Sequence, residues 1–175
     1  MKKIPIKITA IGAVCAALSC IFLTAGYYLH FGEFIFYLLA SLPAMALLYY
    51  DSKIGFALSF AAACAVTLIT TGFGYIYILP YFMLFGHYPL TCWLFTRSGM
   101  KKRIATVLKL IIFEVGLVLT WRFTELFTVE NEMLRRYMLP ILLVVGVVVF
   151  FMYDEVIRRL EIMSARLMRK LDGNK

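Results

Sequence analysis

Charge is scarce in this chain, and that scarcity excludes an ordinary soluble domain. Only 16% of the residues are charged, against about 25% in soluble globular proteins, whereas 63% are hydrophobic. The mean hydropathy is +0.87. Such a composition cannot cover a folded surface with groups that favour water. We therefore predict an integral membrane protein, for which the lipid bilayer is the solvent.

Sequence motifs of catalysis and of ATP hydrolysis are also lacking. There is no Walker motif, no Gly-x-Ser-x-Gly, no His-Glu-x-x-His and no pair of acidic residues at metal-ligand spacing. We therefore predict that the chain is not an enzyme and holds neither a metal nor another cofactor. If it takes part in transport, a partner has to supply the energy.

The four cysteines form no Cys-x-x-Cys pair and have no histidine beside them. Cys15, Cys20, Cys64 and Cys92 each fall within an apolar run. Such thiols behave as small hydrophobic side chains, so we expect neither disulfides nor a metal site. The net charge of +8 is explained by membrane topology, below, and does not indicate nucleic-acid binding.

Apolar runs fill almost the whole chain. We place six membrane spans at 8–29, 34–50, 54–72, 75–96, 104–123 and 138–153. Short loops and two tails take up the remainder, so the predicted fold is an all-α bundle of six transmembrane helices forming one membrane domain, residues 1–153. Pro43 in the second span and Pro80 and Pro89 in the fourth predict kinks, which are tolerated where neighbouring helices satisfy the freed carbonyls.

The basic residues fall on one side of the predicted membrane. With a cytoplasmic N-terminus and six alternating spans, most of the 18 Lys and Arg residues lie on the inner side. This inner set comprises Lys2, Lys3, Lys7, Lys53, Arg97, Lys101, Lys102, Arg103, Arg158, Arg159, Arg166, Arg169, Lys170 and Lys175. The outer loops hold Arg135 and Arg136 and collect acidic residues instead. Because cytoplasmic loops carry such an excess of positive charge, both termini are predicted to be cytoplasmic.

After the sixth span, residues 154–175 keep a helical pattern. Val156, Leu160, Met163 and Leu167 recur at helical spacing, with arginines at other positions. This pattern predicts a basic amphipathic helix that continues from the last span and lies on the anionic inner leaflet or docks on a partner. The alternative is a solvated tail that extends the last helix.

Glu114 lies near the centre of the fifth span, where a carboxylate is costly unless it is paired, protonated or in contact with water. His87 in the fourth span is about as far from the turn around Ser98 as Glu114 is, so the two are predicted to face each other. Such a pair could bind a polar ligand or relay a proton, or it could be a structural hydrogen bond without a ligand. Lys109 lies near the inner end of its span and is expected to snorkel to the interface.

Aromatic residues concentrate toward the predicted outer side, where most are expected to form an interfacial belt. In a sharper interpretation, Trp121, Tyr77, Tyr81 and Arg122 line an outward-facing pocket for a planar ligand. Glu114 below and Arg122 above would give that pocket two charged ends. The predicted substrate-binding residues are Glu114, His87, Trp121, Arg122, Tyr77 and Tyr81.

Small residues form a stripe on the first span, comprising Gly12, Ala13, Ala16 and Ala17. Small residues four apart let another helix approach closely. The stripe is therefore predicted to be a partner interface, although packing within the chain is nearly as well supported.

Together these features resemble the substrate-binding S components of energy-coupling-factor (ECF) transporters. That family comprises small bacterial membrane proteins with six spans, both ends inside and Ala-x-x-x-Ala on the first helix, which Ala13 and Ala17 match. Pro43 and the short turn into a third span with Gly55 near its start also resemble the family.

The resemblance implies that the chain captures a vitamin or similar micronutrient at the outer side of the bacterial cytoplasmic membrane. It also implies docking on a transmembrane coupling subunit driven by two ATPases. The ligand residues of the family differ between vitamins, so the resemblance assigns none here.

Two other functions fit the same sequence. The first is a small membrane scaffold, such as a cell-shape or cell-envelope subunit, which holds partner proteins and binds no solute. The second is a membrane enzyme that acts on lipids through His87 and Glu114.

Overall fold

The computed structural model describes residues 6–30, 32–128 and 132–173, with side chains described outside 125–136 and 164–173. Most of the described residues are helical, and none of them forms a strand. The helices are α1 (Ile6–Leu29), α2 (Glu33–Ser41), α3 (Met45–Tyr49), α4 (Lys53–Thr70), α5 (Tyr75–Pro80), a π-helical turn (Tyr81–Phe85), α6 (Tyr88–Arg97), α7 (Lys102–Thr128) and α8 (Glu132–Gly173).

Among the described residues, four helices are long and apolar enough to cross a membrane: Ile6–Leu29, Lys53–Thr70, Lys102–Thr124 and Tyr137–Met163. The predicted multi-pass membrane character is thereby supported by the fold. The second predicted span is the shorter apolar segment Glu33–Tyr49, which is divided into α2 and α3. The fourth is divided into α5, the π-helical turn and α6. A count of six spans requires both divided segments to cross, and it stays a prediction.

The break between α2 and α3 lies at Pro43, which has no N–H to continue the helical hydrogen bonds. Side chains of other helices bind the carbonyls around this break. Ser19 Oγ donates to the Ala40 carbonyl at 2.7 Å, and Tyr81 Oη donates to the same oxygen at 3.3 Å. Cys15 Sγ donates to the Pro43 carbonyl at 3.0 Å. In a bilayer, where no water can serve these groups, such bonds are what make a broken helix tolerable.

The fourth segment is broken in the same way around Pro80. The chain continues as a π-helical turn, closed by a bond of 2.7 Å from the Gly86 N–H to the Tyr81 carbonyl. Tyr37 Oη donates to the Tyr77 carbonyl at 2.7 Å, and Tyr153 Oη donates to the Phe85 carbonyl at 2.9 Å. The chain therefore breaks at Pro43 and Pro80 as predicted, whereas Pro89, the third predicted kink, lies in the first turn of α6. Tyrosines of neighbouring helices bind carbonyls at these breaks.

Aromatic rings fill the centre of the bundle. The largest buried rings belong to Tyr37, Phe56, Tyr81, Phe85, Tyr88, Phe113, Phe150 and Tyr153. The π-helical turn lies at the middle of this core, and α7 packs tightly against it at Gly116. A Cβ built on Gly116 would lie only 2.6 Å from the Met83 carbonyl oxygen, so the absence of a side chain there permits the contact.

Basic residues from separate elements meet at one end of the bundle, which we call the basic end. Arg97 Nη1 pairs with Asp51 Oδ1 at 2.6 Å, joining α6 to the turn before α4. Lys53 and Arg97 each lie over the ring of Trp93, at 5.1 Å from its centroid. Lys7 lies over the ring of Tyr50 at 4.9 Å. Three segments distant in sequence thus bring their positive charges to one level of the bundle.

α8 is a continuous helix of 42 residues, about 63 Å long at the usual helical rise. It passes the predicted end of the last span at Tyr153 without interruption and continues through Gly173. Residues 154–173 are thus helical and belong to α8, and their amphipathic role stays a prediction. The side chains at 164–175 lie outside the described residues.

Candidate functional site

The carboxylate of Glu114 lies between α7 and α8, in the space left by the missing side chain of Gly146. A Cβ built on Gly146 would lie 2.8 Å from Oε1 and 3.1 Å from Oε2. Both oxygens are buried, and no hydrogen-bond partner for either is found within the described residues. A buried carboxylate without a partner is costly in hydrocarbon, so Glu114 is a candidate for contact with a ligand, a proton or another protein.

The predicted pairing of His87 with Glu114 is wrong, because neither carboxylate oxygen of Glu114 has a hydrogen-bond partner among the described residues. His87 lies directly before α6, and its Nδ1 is 3.3 Å from the Phe82 carbonyl of its own segment. The prediction compared how far each residue lies from the turn around Ser98, and it assumed that both helices are continuous. The π-helical turn breaks that continuity and lets the imidazole bind a carbonyl close to it in the chain, while Glu114 lies against Gly146 of α8.

Two more predicted ligand residues carry polar atoms for which the described residues offer no partner. Trp121 Nε1 and Tyr77 Oη are buried and make no hydrogen bond to the part of the chain that the structure describes. Trp121 follows Glu114 by two turns of α7, so the two lie on nearly the same face, about 10 Å apart along the helix. The Tyr77 ring packs between Tyr27 and Tyr37, with centroids at 5.3 and 5.1 Å.

The remaining predicted ligand residues have other surroundings. Tyr81 is buried, and its hydroxyl binds the Ala40 carbonyl at the break in the second segment, which is a structural role. Arg122 is exposed on α7 next to Trp121. Glu114, Trp121 and Arg122 thus come from α7, whereas the tyrosines come from the fourth segment.

A buried ion pair joins α7 to α8 near the basic end. Lys109 Nζ binds Asp154 Oδ1, and the side chains are only 13% and 19% exposed. Tyr88 Oη of α6 donates to the same oxygen at 2.7 Å, and Cys92 Sγ lies 3.7 Å from it. The ammonium of Lys109 is therefore paired with a carboxylate inside the protein, at the predicted inner end of the last span, and its snorkelling to the interface stays a prediction.

Sequence reasoning missed Asp154, which it assigned to the start of the tail. One signal was available. Lys109 is the one lysine within an apolar run, and Asp154 is the first acid after the next apolar run of the chain. If two such runs pack antiparallel, these residues reach the same level.

Beside this ion pair lies a cavity of about 310 Å³ between α6, α7 and α8. Its lining includes both charged and apolar side chains: Cys92, Phe95, Thr96, Met100, Lys102, Ala105, Thr106, Lys109, Asp154, Ile157, Arg158 and Glu161. In the described part of the chain, no group of three or more His, Cys, Asp or Glu side chains is placed to hold a metal ion.

The small-residue stripe of α1 borders a groove between α1 and α4. Gly12, Ala13 and Ala16 line one wall of this groove, which has a volume of about 210 Å³. Gly55, Ser59 and Ala62 of α4 are among the residues of the opposite wall. Ala13 and Ala17 are exposed, whereas Gly12 and Ala16 are half-buried. The stripe thus packs partly on its own chain and partly remains open.

Comparison of the chain with protein-family models, with curated proteins and with solved structures gave no match. Its function is therefore inferred from its own residues. Three features are relevant. The first is the set of buried polar atoms of Glu114, Tyr77 and Trp121 that have no hydrogen-bond partner among the described residues, which we call the orphan polar atoms. The others are the charged cavity beside Lys109 and the α1–α4 groove.

Proposed function

We propose that this protein is a substrate-binding subunit of a micronutrient uptake transporter, similar to the S components of ECF transporters. In this proposal it lies in the bacterial cytoplasmic membrane, crosses it six times, and captures a vitamin-like solute from the outer side. Partner subunits supply the energy of transport.

The observation that carries this proposal is the set of orphan polar atoms on residues predicted to bind a ligand. Glu114 offers two acceptor oxygens, Trp121 one N–H donor, and Tyr77 a hydroxyl, all buried and without a partner among the described residues. Buried polar groups in native proteins are nearly always hydrogen-bonded. A solute that carries both donors and acceptors would satisfy the carboxylate of Glu114 and the N–H of Trp121, which lie on nearly the same face of α7.

The charge distribution supports the orientation in this proposal. The basic end holds Lys7, Lys53 and Arg97, joined by the contacts to Tyr50, Trp93 and Asp51. An excess of Lys and Arg in short loops marks the cytoplasmic side. Tyr27, Tyr37 and Tyr77 then belong to the outer half, from which the solute would enter.

The α1–α4 groove supports docking on a transmembrane coupling subunit. Ala13 and Ala17 present an exposed surface without bulky side chains, next to the half-buried Gly12 and Ala16. In a bilayer, helices associate mainly through close packing, which such a surface allows.

The experiment that tests solute capture is mass spectrometry of small molecules released from the purified, denatured protein. We expect a vitamin-sized compound in a near-stoichiometric amount from the natural chain. Glu114→Gln should retain about ten-fold less, because the amide replaces a carboxylate oxygen with an N–H donor. Glu155→Gln is the matched control, since that carboxylate binds Arg158 and Arg159 on the exposed side of α8.

Lipids as the sole passengers in repeated preparations would count against solute capture. So would equal retention by the Glu114→Gln and Glu155→Gln variants, since the intramembrane carboxylate would then have no part in binding.

If the chain docks through this groove, the double variant Ala13→Leu with Ala17→Leu should no longer assemble with the coupling subunit and the ATPases. The variant should still fold. Two leucines there would hold a partner helix away from the exposed stripe. The measurement is co-purification of Walker-motif ATPases from the native host, together with the thermal unfolding midpoint of the isolated variant.

The control is Ala57→Leu with Ala61→Leu, two exposed alanines of α4 that have the same spacing but do not line the groove. This variant should assemble normally. An intact complex with the α1 variant would mean that another surface of the chain carries docking.

The same groove also fits the second candidate function, a membrane scaffold that holds partner proteins and binds no solute. A scaffold needs a docking surface like the one on α1, and it does not need Glu114. Loss of co-purified proteins in the α1 variant, combined with preparations that carry no solute, would favour the scaffold.

A further inference from the structure

The charged cavity near the basic end belongs neither to the predicted solute site nor to the α1–α4 groove. It lies between α6, α7 and α8, beside the ion pair of Lys109 with Asp154. We propose that this cavity binds a phosphate group, supplied in the membrane by the headgroup of a phospholipid. The inference does not rest on solute capture and applies equally to a scaffold.

The sign of the charge around the cavity favours an anion. Lys102, Lys109 and Arg158 line it, against the acids Asp154 and Glu161. The charge of Asp154 is taken up within the protein, because Lys109 and the Tyr88 hydroxyl both bind its Oδ1. Lys109 is neutralised in the same pair, so the three basic and two acidic side chains leave the lining a net formal charge of +1, which favours an anion over a cation.

Hydrogen-bond donors remain available on these basic groups. The ammonium of Lys109 has three N–H donors, and its contacts with Asp154 Oδ1 and Cys92 Sγ account for two of them. Arg158 binds Glu155 through Nη2, which leaves other guanidinium N–H groups for a ligand. Lys102 is the first residue of α7, so the amides of the first helical turn and the positive end of the helix dipole lie at the same place.

The apolar part of the lining favours a lipid as the source of the phosphate. Phe95, Met100 and Ile157 form apolar walls next to the charged groups. Elsewhere on the same part of α7, Ile104 and Leu108 are exposed apolar side chains. Basic pockets between transmembrane helices at the cytoplasmic side are a recurrent way of holding phospholipid headgroups.

Three probes distinguish the sources of the phosphate: phosphatidylglycerol, diacylglycerol with the same acyl chains, and inorganic phosphate. The first two differ by the phosphoglycerol headgroup, so their comparison measures the contribution of that headgroup. Native mass spectrometry of the full chain counts bound lipid, and thermal unfolding measures stabilisation by each probe. We expect about one tightly bound phosphatidylglycerol per chain, with an affinity about ten-fold or more above that of diacylglycerol.

The decisive variant is Lys102→Gln with Arg158→Gln, which should lower the affinity for phosphatidylglycerol about ten-fold or more. Both side chains are exposed, so folding is not at risk. The control is Lys101→Gln with Arg159→Gln, which removes the same charge from adjacent positions that do not line the cavity. It should keep the affinity of the natural chain to within about two-fold.

Each outcome decides the inference. Loss of phosphatidylglycerol in the cavity variant alone supports the lipid-bound phosphate. Stabilisation by inorganic phosphate that is lost in the same variant, without selective lipid binding, supports the phosphate site and assigns it to a soluble anion. The proposal would be overturned if both variants lost affinity for phosphatidylglycerol equally. It would also be overturned if the natural chain did not prefer phosphatidylglycerol over diacylglycerol.

Discussion

Replacing Lys109 by methionine should lower the free energy of unfolding by about 3–5 kcal/mol, the usual cost of breaking a buried ion pair from one side. Asp154 would keep the hydroxyl of Tyr88 but would lose the positive charge that balances its own. Methionine preserves most of the length of lysine, so the loss reports the charge and not a cavity. The measurement is a denaturant titration of the purified protein in detergent, whose midpoint and slope give the free energy of unfolding.

A second substitution in the same protein separates the charge from the packing. Asp154→Asn in the Lys109→Met background removes the uncompensated carboxylate and still offers an oxygen to Tyr88. We therefore expect this double variant to regain most of the lost stability. Arg159→Met is the matched control, since its pair with Glu155 is exposed and should contribute at most about 1 kcal/mol. Equal losses for Lys109→Met and Arg159→Met would show that the buried pair contributes no more than a surface pair.

Gly116→Ala should destabilise the protein by about 1–3 kcal/mol, the usual range for overpacking a filled core, or prevent its accumulation as a folded species. The new Cβ would lie 2.6 Å from the Met83 carbonyl oxygen and 3.1 Å from Leu84 Cδ2. The first of these atoms belongs to the backbone of the π-helical turn, which cannot move aside as a flexible side chain can. α7 would have to separate from the turn at the centre of the aromatic core.

Gly12→Ala provides the comparison for this substitution. It adds the same methyl group to a glycine within a helix, but the nearest heavy atom would be Leu47 Cδ2 at 3.9 Å, an ordinary contact. We expect its unfolding midpoint to equal or exceed that of the natural chain, because alanine favours the helix over glycine. Comparable destabilisation by both substitutions would mean that loss of glycine, and not the contact with Met83, is responsible.

The lipid-facing character of the chain could be predicted because it depends on composition and on the length of apolar runs. The breaks at Pro43 and Pro80 could also be predicted, since a missing N–H acts locally. Which groups bind the freed carbonyls could not. The hydroxyls of Tyr37 and Tyr153 lie 40 and 68 residues from the carbonyls that they serve, so only the packing of the helices brings them together.

The difference between local chemistry and helix packing also explains which predictions about the ionisable residues were right. Glu114 was recognised as unusual because a carboxylate in an apolar run is costly wherever the run packs. Its neighbour was predicted wrongly, since depth along a helix says nothing about the direction in which a side chain points. Lys109 and Asp154 are 45 residues apart and lie on different helices, so their pairing was visible only in three dimensions.

The sequence by itself indicated a membrane protein, the breaks at Pro43 and Pro80 and the end that collects positive charge, but not that α8 continues through Pro140. These properties follow from the transfer of side chains into lipid and from the chemistry of proline, which act residue by residue. The tertiary structure alone decided that Glu114 lies against Gly146, that Asp154 neutralises Lys109, and that a charged cavity opens beside this pair. Contacts of this kind depend on the rotation of each helix about its axis, which is set by close packing between segments far apart in the chain.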